Sequence, residues 1–563
     1  MLPSRSGWGL DALRYAARPH PNPSPEGEGL YRLMASRALP RRRAAPAATV
    51  VHADRPLYEQ VRYRGLLTIA VMGASVMQIL DTTIANVAIP HMQSSLGATS
   101  ETVNWVLTSY IIASAVAMPI TGWLADKVGR RALFLGAVIG FIIASMACGA
   151  AQNLEEMVIF RFLQGISAAF IGPLSQSVML DINPPERHAR AMSIWGMGIM
   201  VGPILGPIIG GWLTESANWR WVFYVNLPVG ALTFALMWAL LPATGRKQRK
   251  FDLFGFSMLA LGLASLQLML DRGAQKDWFD SLEIWIETGV SVSCLWMFVI
   301  HLLTARNTMF DRRMLADRNL ATALGFMVVI GIVMFSSMAL LPPMLQRLFD
   351  WPVIDTGWVL AVRGIGILLS MSVAGRLIGK VDARWMVGSG LLIAAYSLWQ
   401  MSHWALMMGA WPVIVSGLVQ GLGMGLVFIP LNTMAFATLG PTWRTDGASL
   451  LNLFRSVGAS VGISVVTTLL GSNTQTSHED LAAHITSGSM PMIDPSTSDR
   501  LGQLGGSAMA MVNAAINKQA AMIAYIDNFW AMMWVTLASV PLVILLRPPK
   551  PGGPTASAAD MGH

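Results

Sequence analysis

Apolar stretches long enough to cross a bilayer, which takes about 20 residues at ~1.5 Å each, follow one another through most of the chain. They run at approximately 66–90, 104–124, 132–151, 155–180, 191–213, 221–242, 253–271, 284–303, 320–346, 354–378, 386–402, 408–438, 447–471 and 526–546. The pattern predicts an all-α polytopic membrane protein with about 14 transmembrane helices. Residues 1–62 break it. They are rich in Pro, Arg, Ala and Ser, and the stretch from His20 to Gly29 is low-complexity with no apolar run of a cleaved signal peptide. We expect a disordered cytoplasmic tail at 1–62, with Met34 as a candidate start, and a second tail at 548–563.

Charge then orients the spans. Lys127, Arg130, Arg131, Arg187, Arg190, Arg246, Lys247, Arg249 and Lys250 fall in loops of one parity, as do Arg306, Arg312, Arg313, Arg318, Lys380, Arg384 and Arg444. The short loops of the other parity hold only Arg220, Arg272, Lys276 and Arg347. The positive-inside rule places the basic loops and both termini in the cytoplasm.

Composition narrows the function classes. With 54% hydrophobic and 12% charged residues and a mean hydropathy of +0.52, the chain is not a soluble enzyme. The net charge of +8 is modest and sits mostly in short loops, without a basic-aromatic surface, which argues against a nucleic-acid partner. Cys148 and Cys294 lie in apolar runs, so free thiols are expected. No phosphate-binding Gly-Lys loop, metal-ligand cluster or nucleophile triad is present, and neither an enzyme nor a cofactor is expected. The abundant methionines (37) suit either an adaptable cavity or a lipid-facing surface.

The chain repeats itself. A shift of 253 residues pairs Pro90 with Pro343, Gln93 with Gln346, and Trp105-Val106-Leu107 with Trp358-Val359-Leu360. The same shift pairs Gly122 with Gly375, Leu124 with Leu377, Lys127-Val128 with Lys380-Val381, and Arg131 with Arg384. Chance apolar similarity does not align Trp, Gln, Gly and basic residues together. We therefore expect an N-terminal six-helix bundle at 63–245, a two-helix insert at 246–318, and a C-terminal six-helix bundle at 319–547 with an external loop at 472–525. Met509, Val512, Ile516, Ala520 and Ile523 recur there at helical spacing, as in an amphipathic helix before the last span.

Asp81 stands at membrane depth in the first span, where a carboxylate costs at least ~2.5–3.5 kcal/mol on insertion scales. Such residues usually face a cavity and work there; the alternative is a buried, permanently neutral acid. Ala85 and Ala88 share its helical face and leave space beside it. At shift 253 its counterpart is Met334, so the acid belongs to the first half alone. In the fourth span Arg161, Gln164 and Gly165 share one face. Arg161 lies about six residues and Asp81 about nine from the outer ends of their spans, ~9 Å against ~13 Å, within reach of an extended Arg. A purely structural donor is the alternative role for Arg161.

Three further motifs carry a resemblance. The loop after the second span reads Gly122-Trp123-Leu124-Ala125-Asp126-Lys127-Val128-Gly129-Arg130-Arg131. It resembles the signature loop of the major facilitator superfamily, and the second half keeps a degenerate copy with Gly379 for the acid and Asp382 for the second glycine. Arg161-Phe162-Leu163-Gln164-Gly165 is similar to the superfamily's buried-arginine motif. Gly202-Pro203-Ile204-Leu205-Gly206-Pro207-Ile208-Ile209-Gly210-Gly211 resembles the antiporter motif of proton-coupled exporters. With Asp81 to Pro90 and Trp219 to Pro228, the chain from about Val61 to Arg547 is identified as a member of the fourteen-helix drug:proton antiporters of the EmrB/QacA type.

The resemblance implies two bundles alternating in access, driven by a proton gradient with no cofactor, in the bacterial cytoplasmic (inner) membrane. It implies proton coupling at Asp81 and Arg161, gating by Gly122, Asp126, Gly129, Arg130 and Arg131, and a packing helix built on Gly202, Gly206, Pro207, Gly210 and Gly211. Asn86, Tyr110, Gln164, Arg363, Gln420, Asn432 and Arg455 are candidate substrate-cavity residues, with polar links between helices as the competing role for those of the second half. Relatives of the EmrB type work with a periplasmic adaptor and an outer-membrane channel, which makes 472–525 a candidate docking surface; a helix lying on the membrane is the favoured reading. The functional expectation is proton-coupled export of lipophilic or amphipathic small molecules. The alternatives are export of a specific metabolite, such as a fatty acid or organic anion, and a non-transporting membrane sensor.

Overall fold

The structure is a computed structural model that describes residues 57–99, 102–484 and 506–547, all within one compact unit, Arg55–His563. Fourteen long helices organise it: α1 Arg64–Ser95, α2 Trp105–Val128, α3 Arg130–Ala150, α4 Leu154–Asp181, α5 His188–Ser216, α6 Trp221–Leu240, α7 Leu253–Arg272, α8 Leu282–Thr304, α9 Arg318–Arg347, α10 Val353–Leu377, α11 Ala383–Met401, α12 Ala410–Ala437, α13 Arg444–Ala483 and α14 Gly506–Ser539. Thirteen are long and apolar enough to cross a membrane, α11 being the exception. Arg384, Gln400 and several small residues lower its hydropathy, yet it is helical where a span is expected and packs on α12 and α14.

Local chemistry fixes the helix ends. Asn153 caps α4 by accepting from Glu156 N at 2.8 Å, and Asp252, Asp317 and Asp382 cap α7, α9 and α11 in the same way. Gly129 joins α2 to α3 with φ +94°, a conformation that glycine adopts without strain. Its counterpart is not at position 382: Gly379 takes φ +89° three residues earlier, and Asp382 becomes a cap. The degenerate second loop thus keeps a glycine-dependent turn.

Packing repeats between the halves. α1 packs on α5 and α6, α2 on α4, and α3 on α4 and α6; likewise α9 packs on α13 and α14, α10 on α12, and α11 on α12 and α14. Between the two sets, α5 meets α10 and α12, and α4 meets α13. α7 bridges α2 and α13, while α8 packs mainly on α7 and leaves its apolar surface, including Trp285 and Trp296, uncovered by protein.

Two regions differ from expectation. Leu57–Gln60 is a helical turn instead of disordered tail; residues 1–56 and 548–563 lie outside the described residues. The stretch 472–525 is not mainly loop. α13 runs on to Ala483 and α14 begins at Gly506, so the residues at 509–523 continue into the last span without a break. The sequence after Gly471 is polar but holds no proline or glycine up to Ala483, so nothing stops the helix.

The glycine face of α5 lies on α1. A Cβ at Gly202 would stand 2.7 Å from Ile79 Cγ2, one at Gly206 2.1 Å from Thr83 Oγ1, and one at Gly210 3.1 Å from Ile84 Cγ2. Thr83 also donates to Gly202 O at 3.3 Å. Gly211 faces open space and takes no part in this contact. Close glycine contacts let helices shift against each other as rigid bodies, and α1 is the helix that carries Asp81. If the chain transports as the resemblance implies, Gly206→Leu is expected to lower turnover about tenfold, ~1.4 kcal/mol on the barrier, with little change in substrate affinity. Transport rates and binding isotherms of the reconstituted variant check this; reduced affinity at unchanged turnover would contradict it.

Candidate proton-coupling site

Asp81 is wholly buried, at 0% exposure, as are Arg161 and Gln164. Its Oδ2 accepts from Arg161 Nη1 at 2.7 Å, and its Oδ1 accepts from Gln164 Nε2 at 2.9 Å and Asn226 Nδ2 at 2.7 Å. Four helices build this cluster. α1 supplies the acid and α4 the arginine and glutamine one turn apart. α6 supplies Asn226, and α3 supplies Ser145, which accepts from Asn226 Nδ2 at 2.9 Å and donates to Phe223 O at 2.9 Å.

The guanidinium is held on several sides. Arg161 Nε donates to Val106 O at 3.1 Å, and Nη1 donates to Gln164 Oε1 at 2.8 Å. The Tyr110 ring lies 4.3 Å from the guanidinium carbon and the Phe223 ring 5.7 Å, distances at which a desolvated cation gains from an aromatic face. Arg161 Nη2 is buried without a hydrogen-bond partner among the described residues. One donor of the pair is thus uncommitted, as in a site that must rearrange. Close approach of α4 to α2 makes this geometry: a Cβ at Gly165 would lie 2.4 Å from Tyr110 O. Asn86, by contrast, is exposed and does not join the cluster.

At the end of the helices that carries the basic loops, the signature loop meets the second half. Gly122 packs against the first turn of α13, where its Cβ would fall 1.6 Å from Asp446 Oδ1. The first turn of α13 is thus met by Gly122, and among the described residues Asp126 is linked to it through Arg249. Arg249 Nη1 lies 2.8 Å from Asp446 Oδ2 and 3.9 Å from Asp126 Oδ2, and the same guanidinium donates to Met309 O. Asp181 at the end of α4 takes Arg130 and, at 2.7 Å, Arg444, while Arg130 Nη2 also donates to Pro441 O at 3.2 Å. Arg131 turns away and donates to Trp238 O at 2.6 Å.

These contacts tie the two halves together at one end. Arg249→Met keeps the apolar stem but leaves Asp446, 3% exposed, without its cation. We expect the α2 and α13 ends to separate, with the open population rising roughly 5–30-fold for a 1–2 kcal/mol loss. Distances between spin labels at Val128 and Thr442, in a background lacking Cys148 and Cys294, report this. An unchanged distance distribution would show that Arg249 does not hold these two helix ends together.

The second-half candidates lie in two places. Asn432 Oδ1 accepts from Gln176 Nε2 at 2.6 Å, Gln176 Oε1 from Asn452 Nδ2 at 3.0 Å, and Asn452 Oδ1 from Arg455 Nη2 at 2.8 Å. This chain crosses between the halves and lines a narrow cleft with Trp195, Met327 and Phe428. Arg363 and Gln420 lie apart from it. Arg363 Nη2 donates to Met334 O at 3.1 Å, and Gln420 Nε2 donates to Ser337 Oγ at 3.1 Å.

Sequence reasoning missed Asn226, Ser145, Arg249, Asp446 and Asp181 as members of these sites. Asn226 carried a usable signal, an amide inside an apolar span. Arg249 looked like one more charge of a basic loop.

Comparison with known proteins places this geometry in a group. Residues 71–463 match the family model described as the Major Facilitator Superfamily. The fatty acid resistance protein FarB of Neisseria gonorrhoeae is 34% identical over 86% of this chain and 97% of its own length. The multidrug export proteins EmrB of Haemophilus influenzae and Escherichia coli are 35% and 34% identical, over 86% and 87% of this chain and 96% of their own lengths. Among solved structures, the human organic anion transporter MFSD10 superposes with a TM-score of 0.54 at 14% identity, over 84% of this chain and 99% of that one; at that identity the match speaks for the fold alone.

Proposed function

The chain belongs to the major facilitator superfamily, within its EmrB-like drug:proton antiporters, and we propose that it exports lipophilic or amphipathic small molecules in exchange for protons. The observation that carries the proton step is Asp81, a fully buried acid held by one arginine and two amides of the same half.

Protonating Asp81 removes the charge that faces Arg161. Two unit charges ~4 Å apart at an effective dielectric near 20 interact by about 4 kcal/mol, enough to shift a two-state equilibrium by two to three orders of magnitude. The freed guanidinium already has one uncommitted donor, Nη2, and α1 bears on α5 through the glycine contacts. Movement at Asp81 thereby reaches the helix that packs on α10 and α12. The Arg249, Asp181 and Gly122 contacts close one end of the molecule in the conformation described. By the excess of basic residues we assign that end to the cytoplasm, with both termini on the same side. We assign the protein to the bacterial inner membrane and read residues 63–245 and 319–547 as the alternating bundles, with 246–318 as an insert that lends Arg249 to the gate. A periplasmic adaptor and outer-membrane channel are the partners we expect at the outer helical extensions of α13 and α14.

Proteoliposomes with an imposed pH gradient and a panel of lipophilic drugs test the reading. Flux that collapses when an ionophore dissipates the gradient supports it. Equal flux without a gradient would exclude proton coupling. The name of the gonococcal relative points to fatty acids as a second substrate reading, and the same panel separates the two.

A further inference from the structure

The second half contains a counterpart of the Asp81 site in which the acid is missing and the cation has moved to another helix. The helix contacts set the correspondence. A Cβ at Gly165 would lie 2.4 Å from Tyr110 O, and one at Gly421 would lie 2.2 Å from Arg363 O. α12 therefore sits on α10 as α4 sits on α2, with Gly421 in the place of Gly165 and Arg363 in the place of Tyr110. In that register Gln420 stands for Gln164 and Gly417 for Arg161. The repeat puts Met334 where α1 carries Asp81. The cation has crossed from the fourth helix of the half to the second: a Cβ at Gly417 would lie 3.7 Å from Arg363 Cβ, so the arginine leans over the position its counterpart vacated.

This site is charged but uncompensated. Arg363 is 6% exposed, donates to the main-chain carbonyl of Met334 at 3.1 Å, and among the described residues has no carboxylate within ion-pair distance. Gln420 Oε1 beside it is buried with no partner among the described residues, and since amide oxygen and nitrogen are assigned by context, this end of the side chain can turn as a donor toward a ligand. A buried guanidinium is costly unless an anion pairs with it, and its planar fork of donors matches a carboxylate or sulfonate. A second cation, Arg455, is also without an acid among the described residues, whereas Arg161 is neutralised by Asp81. Along α9 and α12, Met334 and Gln420 share their faces with Met327 and Phe428 about two turns away. There Trp195 and Phe428 stack at 6.3 Å beside the cleft between the halves. A charged head at Arg363 thus leads onto an apolar and aromatic wall suited to a tail.

We propose that Arg363, with Gln420, binds the anionic head of the transported molecule, so that the preferred substrates are amphipathic organic monoanions. The substrate's own charge fills the place that Asp81 holds in the first half. This rests on the exporter reading, but its test does not need transport.

The probes are octanesulfonate and octyltrimethylammonium, which share a tail and carry permanent opposite charges, titrated into purified protein in lipid nanodiscs. The expected result is saturable octanesulfonate binding, at least ten-fold tighter than that of the cation. Arg363→Gln abolishes the preference by weakening the anion at least ten-fold, and Arg363→Lys restores part of it. Met334→Asp, which supplies the missing acid and keeps the arginine, loses the anion in the same way and guards against a folding defect in the first variant. Equal or tighter binding of the cation, no binding of the anion, or unchanged anion affinity in both Arg363→Gln and Met334→Asp overturns the proposal. Gradient-driven export of a cationic drug alongside any of those results would leave the exporter reading standing and sink this one alone.

Discussion

Asp81→Asn will give a folded, membrane-inserted protein that no longer couples substrate movement to protons. Losing the charge makes insertion of the isolated helix easier, but the assembled site sets a different balance. Asp81 accepts three hydrogen bonds, from Arg161, Gln164 and Asn226. An asparagine offers one acceptor oxygen and turns an NH2 group toward at least one of those donors. The cost of a donor left unmatched in a buried site is ~1–3 kcal/mol, which lowers thermal stability without unfolding the protein. The Arg161 contacts to Val106 O and Gln164 Oε1, and the Tyr110 face, remain to hold the cation. Gradient-driven transport should fall to the level of empty liposomes while substrate binding persists. Full transport by this variant under a pH gradient would exclude Asp81 as the proton site.

Arg161→Ala is expected to be the more damaging change to stability. It leaves the Asp81 carboxylate at 0% exposure with only two amide donors, and breaking a buried ion pair from one side costs ~3–5 kcal/mol. Arg161→Lys recovers part of this, because one ammonium cannot reproduce the separate donors that Nε and Nη1 place on Val106 O, Asp81 and Gln164. The double variant Asp81→Asn/Arg161→Ala removes both charges and should be more stable than Arg161→Ala alone, although uncoupled. Thermal unfolding of the wild type, Asp81→Asn, Arg161→Ala and the double variant in one lipid background completes the cycle. Strictly additive losses would mean that the two residues do not act as a pair.

Much of this arrangement is legible in the chain. Apolar runs place the helices, and the 253-residue shift announces the duplicate. Depth counting brought Asp81 and Arg161 within reach of each other, because two residues at similar height in adjacent spans need only the right rotation. Rotation itself is not written in an apolar run. The helices around the site are apolar on nearly every face, so nothing in the pattern shows that α6 turns Asn226, and α3 turns Ser145, toward Asp81. The gate was half visible for a related reason. Gly122 and Asp126 stand in a recognisable motif, whereas Arg249, Asp446 and Asp181 gain their roles only when three distant segments meet. The extension of α13 to Ala483 escaped because residues 472–483 are polar and apolar periodicity is silent there, whereas the helix at 509–523 shows in its apolar spacing and only its unbroken run into the last span does not. The move of the second-half arginine from the fourth helix position to the second was visible as Arg363 opposite Tyr110, but its meaning depends on the contact between Gly421 and α10.

Exchange of a proton for substrate at Asp81 is tested most directly by proton release. A compound that the wild-type protein exports is added to purified protein in weakly buffered detergent solution, and the pH change is followed with an indicator dye. Release of about one proton per transporter from the wild type, with none from Asp81→Asn at equal substrate occupancy, is the result expected when one carboxylate carries the exchange. Undiminished release from Asp81→Asn, or no release from the wild type with substrate bound, would contradict it.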